Sequence, residues 1–136
     1  MGLREEIQTT LAADATLAAL LTGGIYAGTT ISRQGTPEAF DANSELLPSA
    51  LVSVETESPN GPYVTSSRLF LTVRFYQDGG YDVIDDARER VFALLNAQKV
   101  GTNVWEILHT DDVLDQADPG LGCSLTVSRY VIHRLR

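Results

Sequence analysis

The sequence is short of the residues that disulfide-rich domains, metalloproteins and most enzymes depend on. Its single cysteine, Cys123, excludes a disulfide framework and a cysteine-based zinc site. Its two histidines, His109 and His133, leave little imidazole for catalysis or metal ligation. Basic residues are scarce: ten Lys and Arg stand against 18 Asp and Glu, a formal charge of −8. That balance excludes a protein that grips nucleic acid through phosphates, which needs a basic patch. An acidic surface instead repels DNA, which suits a place where DNA must slide past without sticking. No uncharged apolar run approaches the ~18 residues of a membrane span. The segment Met1 to Glu6 lacks the basic stretch and apolar core of a signal peptide. The expected setting is therefore the cytoplasm, or a particle assembled there.

What is present suffices for one folded domain over residues 1–136, with 43% apolar and 21% charged residues. A chain of this length buries roughly 68–70% of its unfolded surface, enough for a core without cross-links. The charge is uneven. Residues 1–67 carry only Arg4 and Arg33 against eight acids, while Arg129, Arg134 and Arg136 fall in the last eight positions. An acidic front and a basic tail suit head-to-tail contacts between copies; a solvated surface with a chance imbalance is the plain alternative.

Periodicity gives the elements. Leu3, Ile7 and Leu11 repeat at helical spacing, Asp14 interrupts and is placed to cap a second short helix through Leu21, and Gly23-Gly24 ends it. Ile25 and Tyr26 begin a short strand. Residues 27–48, with Gly28, Gly35, Pro37 and Pro48, read as a long loop. Period two then sets in: Ala50, Val52 and Val54 alternate with more polar neighbours, and Pro59-Asn60-Gly61-Pro62 marks a turn. In Arg68 to Tyr76, the residues Leu69, Leu71, Val73 and Phe75 form a core face. Arg68, Phe70, Thr72, Arg74 and Tyr76 form a partly exposed face of the composition that interfaces favour.

A helix is expected from about Tyr81 to Ala97, with Asp82, Asp85 and Asp86 in its first turns and Ile84, Ala87, Val91, Leu94 and Leu95 as its buried stripe. Val104 to Leu108 reads as a short strand, followed by a polar, acidic loop to Pro119-Gly120. In the last strand, Cys123 to His133, one face carries Leu125, Val127 and Val131; Ser124, Thr126, Ser128 and Tyr130 form the other. Arg129 shares the apolar parity. Either a bulge rotates it outward, or that face leaves the monomer core and meets a neighbouring subunit. The expected class is α+β, a mostly antiparallel four- to five-stranded sheet with helices packed on one face.

No catalytic or metal constellation emerges, and no cofactor is expected. Cys123 reads as a buried strand residue. His109 with Asp111 and Asp112 lacks ligand spacing and reads as a solvated acidic loop. Asp85-Asp86 and Glu5-Glu6 are sequence neighbours, so on a helix they do not face each other as an acid/base pair. Ser66-Ser67 has no activating base in view, and Gly79-Gly80 and Gly120-Leu121-Gly122 lack the surroundings of a phosphate loop.

The run Leu11-Ala12-Ala13-Asp14-Ala15-Thr16-Leu17-Ala18-Ala19-Leu20-Leu21-Thr22-Gly23-Gly24-Ile25-Tyr26 resembles the opening of the tail terminator (tail completion) family of phages with long, non-contractile tails. Leu51-Val52-Ser53-Val54, the passage Leu71 to Tyr76, the helix from Tyr81 to Leu95 and the closing strand are similar too. The long loop at 27–48 and the polar stretch from Pro59 to Ser67 depart from the family's commoner form. The resemblance implies a virion protein at the tail–neck junction, and no enzyme. It implies a ring, a hexamer in the family, which caps the head-proximal end of the tail tube and ends its polymerisation. The partners implied are further copies of the chain, the tail tube protein and a head–tail connector or stopper protein. DNA only passes through the lumen, and no membrane is involved. A head-closure or connector-associated neck protein is the alternative within a virion; a non-viral adaptor or binding module is the alternative outside it. A ring needs two complementary, non-identical faces. Arg68, Phe70, Arg74, Tyr76, Arg129 and Arg134 are the residues expected at subunit or tube contacts, opposite acids from the first half. The 27–48 loop is expected to dock and order on assembly.

Overall fold

The computed structural model describes residues 2–28 and 30–135, and of residues 60, 63 and 64 the backbone only. Among the described residues, helices α1 (Leu3–Ala12) and α2 (Ala15–Leu20) lead into strand β1 (Gly24–Ala27). A loop with one 3₁₀ turn (Pro37–Ala39) follows, then β2 (Ser49–Asn60), β3 (Tyr63–Gln77), α3 (Asp82–Leu95), β4 (Val104–Asp118) and β5 (Cys123–Leu135). The sheet order is β1-β2-β3-β5-β4. Only β1 runs parallel to its neighbour; the other pairs are antiparallel. The expected α+β class, with a mostly antiparallel sheet, is what the chain adopts.

The helical breaks follow local chemistry. Asp14 caps α2, its Oδ2 accepting from the Leu17 amide at 2.9 Å. No side chain of the preceding turn caps α3. Instead Gln77, at the end of β3, accepts from the amides of Val83 and Ile84 at 3.1 and 3.2 Å and donates to Asp82 at 2.7 Å. The strand that enters the helix therefore satisfies the helix's first amides, which fixes the angle between them.

All three helices supply the cover for one face of the sheet. Leu3, Ile7 and Leu11 of α1, Leu17 of α2 and Ile84, Ala87, Val91 and Leu95 of α3 close over Val52, Leu71, Val73, Phe75, Ile107 and Ile132. Phe75 is fully buried, and truncating such a side chain to Ala costs about 3–5 kcal/mol. The loop between β1 and β2 covers part of the opposite face. There Ile31, Ala39 and Leu46 pack with Leu51, Tyr76 and Cys123 in a second, smaller core.

One expectation is corrected, and one pair of alternatives is decided. The acidic stretch after Leu108 is strand, not loop: β4 runs to Asp118, kept extended by its ladder with β5 and interrupted by register shifts after Val104, His109 and Val113. Local composition there favours a loop, and pairing with a long partner overrides it. The core face of β5 is also the less apolar one. Thr126, Ser128, Tyr130 and Ile132 lie buried toward the helices, while Leu125, Val127, Arg129 and Val131 face away. Register with β3 is continuous from Ser66↔Leu135 to Gln77↔Ser124, so no bulge in β5 turns Arg129 outward; its whole parity is outward.

Candidate interaction surface

Register builds the outer face row by row. Ser53, Thr72, Arg129 and Asp111 stand side by side across β2, β3, β5 and β4. The next row toward one end is Phe70, Val131 and Leu108; toward the other it is Leu51, Arg74, Val127 and Val113. A polar row thus separates an apolar row from one that is apolar except for Arg74. The loop covers the end near Tyr76 and Cys123, and the half around Phe70 and Arg129 stays open.

The six residues singled out from sequence do not form one patch. Arg68 is exposed, with its guanidinium carbon 5.8 Å from the centroid of the Phe70 ring, and Phe70 is 38% exposed. Arg74 donates to Ser53 Oγ at 3.0 Å and lies 3.8 Å from Glu55, which also accepts from Thr72 Oγ1 at 2.8 Å. Arg129 pairs with Asp111 at 3.0 Å, both half-exposed. These four share the open half of the outer face.

Tyr76 does not join them: it is buried beneath the loop, and burial raises its hydroxyl pKa, with Asp118 adding to the effect. Arg134 lies on the opposite side of β5. It makes a two-pronged ion pair with Glu57 at 2.9 and 3.0 Å, and Ser67 Oγ donates to the same carboxylate. Parity alone separates Arg134 from Arg129. The pair also shows that a first-half acid and a tail arginine meet within one chain.

Across β2, β3, β5 and β4 the outer face has a hollow of about 300 Å³, lined by Glu55, Phe70, Thr72, Thr110, Asp111 and Arg129. Two carboxylates rim it. The chain's single tryptophan, Trp105, is 48% exposed where β4 skips register between Val104 and Glu106. From sequence, Trp105 is one residue of the short strand Val104 to Leu108; the register shift beside it comes from pairing with β5 and has no local signal.

The remaining polar groups serve the fold. Asp14 takes two hydrogen bonds from Arg90 of α3, at 2.6 and 2.9 Å, and its pKa is lowered to about 2 by Arg90 first and by the Leu17 amide. Asp112 sits between His109 Nε2 at 2.9 Å and Arg88 at 2.8 Å; burial pushes its carboxyl up, and the hydrogen bonds from His109 and Arg88 help bring it below its usual value. The His109 ring makes edge contacts with Phe92 and Tyr130, both at 5.3 Å between centroids. Cys123 is buried, and burial raises its thiol to about 11. Among the described residues no cluster of His, Cys, Asp and Glu is arranged to hold a metal ion, and no helix is long and apolar enough to cross a membrane.

No family model matches the sequence, and no curated protein matches it. The fold is shared with a solved structure, the virion of a native gene transfer agent particle. A chain of that particle aligns with a TM-score of 0.68, over 98% of this chain and 95% of that one, at 13% sequence identity.

Proposed function

We propose that this chain is a structural virion protein, and within the virion a tail terminator. In this reading its copies form a ring, six in the family it resembles, that caps the head-proximal end of the tail tube. The ring ends tube polymerisation and offers the surface on which head joins tail. The observation that carries the reading is the shared fold with a virion chain over nearly the full length of both. The segment with the family resemblance supports it, since Leu11 to Tyr26 becomes the end of α1, the Asp14 cap, α2 and the start of β1. Tail tube and connector proteins are then the partners, and the acidic chain lets DNA pass through the lumen without sticking.

Deleting the gene in the source phage and imaging the lysate by negative-stain electron microscopy tests this. Abnormally long, headless tubes are expected. Tails of normal length beside separate heads would instead make the chain a head-closure or neck protein, and normal particles would place it outside the virion.

A further inference from the structure

The edges of the sheet are guarded against strand addition. On β1 the carbonyl of Ile25 is occupied by Gln8 Nε2 at 2.8 Å. On β4 the segment 96–98 covers the first part: the Ala97 amide donates to the Ile107 carbonyl at 2.6 Å, and Asn96 Oδ1 accepts from the His109 amide at 2.9 Å. Beyond it the strand is broken by register shifts, with Asp115 at a φ of 55°. Bulges, side-chain caps and charges blunt an edge. These guards favour contact between copies through faces over strand addition.

Two exposed features that share no residue are complementary. One is a knob: the antiparallel bridge Gln98↔Ile107 closes a short loop that carries both Lys99, exposed, and Trp105, half in solvent. The other is the hollow of about 300 Å³ beside Phe70, rimmed by Glu55 and Asp111, each about half exposed, and by Arg129. An indole presents apolar area, a π face and an N–H donor. The hollow presents an aromatic wall, a guanidinium that can lie on the indole face, and carboxylates that can accept from the N–H or attract the ammonium of Lys99.

We infer that copies of this chain join head to tail by seating Trp105 of one, with Lys99 beside it, in the hollow between Glu55 and Asp111 of the next. The inference rests on the ring reading and deepens it. Knob and hollow are made of different residues of one subunit, so the contact propagates around a ring wherever it is not reciprocated across a two-fold axis, which would stop it at a dimer.

The single tryptophan makes the contact directly readable. The purified full chain is concentrated while sedimentation and tryptophan emission are followed together. Emission should move to the blue and acrylamide quenching should fall as the assembly forms. Trp105→Ala should weaken assembly about thirtyfold or more, the behaviour of a central aromatic anchor. Its circular dichroism should stay that of the parent, because the side chain is half-exposed. Lys99→Glu should weaken assembly while Lys99→Arg preserves it, and Thr110→Phe, which fills the hollow from its exposed rim, should block it. Assembly with unchanged tryptophan emission, or a Trp105→Ala chain that assembles like its parent, overturns the contact and leaves the ring standing. A chain that stays monomeric at millimolar concentration, while gene deletion still gives overlong tubes, does the same. Normal tube length on deletion removes the ring reading itself.

Discussion

Asp14 accepts from the Leu17 amide and from Arg90, 76 residues further on, so one carboxylate starts α2 and ties it to α3. Its folded pKa of about 2 lies below the ordinary aspartate value of 3.8, so the ionised form is favoured by folding. The stability it adds is fully present above about pH 4 and is lost as pH falls through about 2. Urea titrations between pH 5 and pH 2 should show this acid loss, and Asp14→Asn should flatten that part of the profile. An unchanged profile would remove the linkage. Arg134 makes a second residue-scale test. Because its guanidinium is engaged by Glu57 inside the subunit, Arg134→Met should lower unfolding free energy by about 1–3 kcal/mol. Assembly measured at a temperature where the variant is folded should be unaffected. Loss of assembly with unchanged stability would return Arg134 to the interface.

Among the elements, α3 was the most legible, because Ile84, Ala87, Val91 and Leu95 repeat at helical spacing and all four are fully buried. The capping of α3 by Gln77 had no local signal, since a glutamine at a strand end announces nothing until the strand and helix are placed. The loop at 27–48 looks irregular because its order comes from turn chemistry and from the sheet beneath it. Arg33 donates to the Ser44 carbonyl at 3.0 and 3.2 Å and stacks on Phe40, Asp41 accepts from the amides of Asn43 and Glu45, and Ile31, Ala39 and Leu46 are buried. These contacts are all made within one chain, and whether the segment also docks on assembly is a matter for experiment. Limited proteolysis of the free chain should leave residues 31–47 intact, and Leu46→Ala should open them to cleavage without unfolding the helical face. Rapid cutting of the parent there would restore the docking-and-ordering picture. Gly101 lies against α1: at a φ of 106° a Cβ would collide with Leu3. Gly101→Ala should therefore lower the thermal midpoint by several degrees, measurable by calorimetry.

For the whole molecule, one face of the sheet is buried by helices and the other is half-covered by a loop, so the open half is where, in the proposed reading, a neighbour or the tail tube docks. Arg74 stands in that half against Glu55 and Ser53. Arg74→Glu should leave the monomer folded, since the side chain is only partly buried, yet abolish capping of tail tubes in a length assay. Normal capping by the variant would exclude Arg74 from the contact surface.

Sequence by itself determined the α+β class, the Asp14 break between the first two helices, the buried stripe of α3 and the inward face of β3. Each is set by spacing or capping within a few residues. Tertiary structure alone decided the extension of β4 through acidic sequence, the burial of Tyr76, the separation of Arg134 from Arg129 and the exposure of Trp105. These depend on which strand is the neighbour, which loop lies above and where register slips, and such long-range pairings leave no mark in local periodicity. The polar residues of β5 make the point most plainly. Thr126, Ser128 and Tyr130 are buried because their parity faces the helices, while Val127 and Val131 face outward. Strand parity assigns two faces but does not say which one the helices will cover.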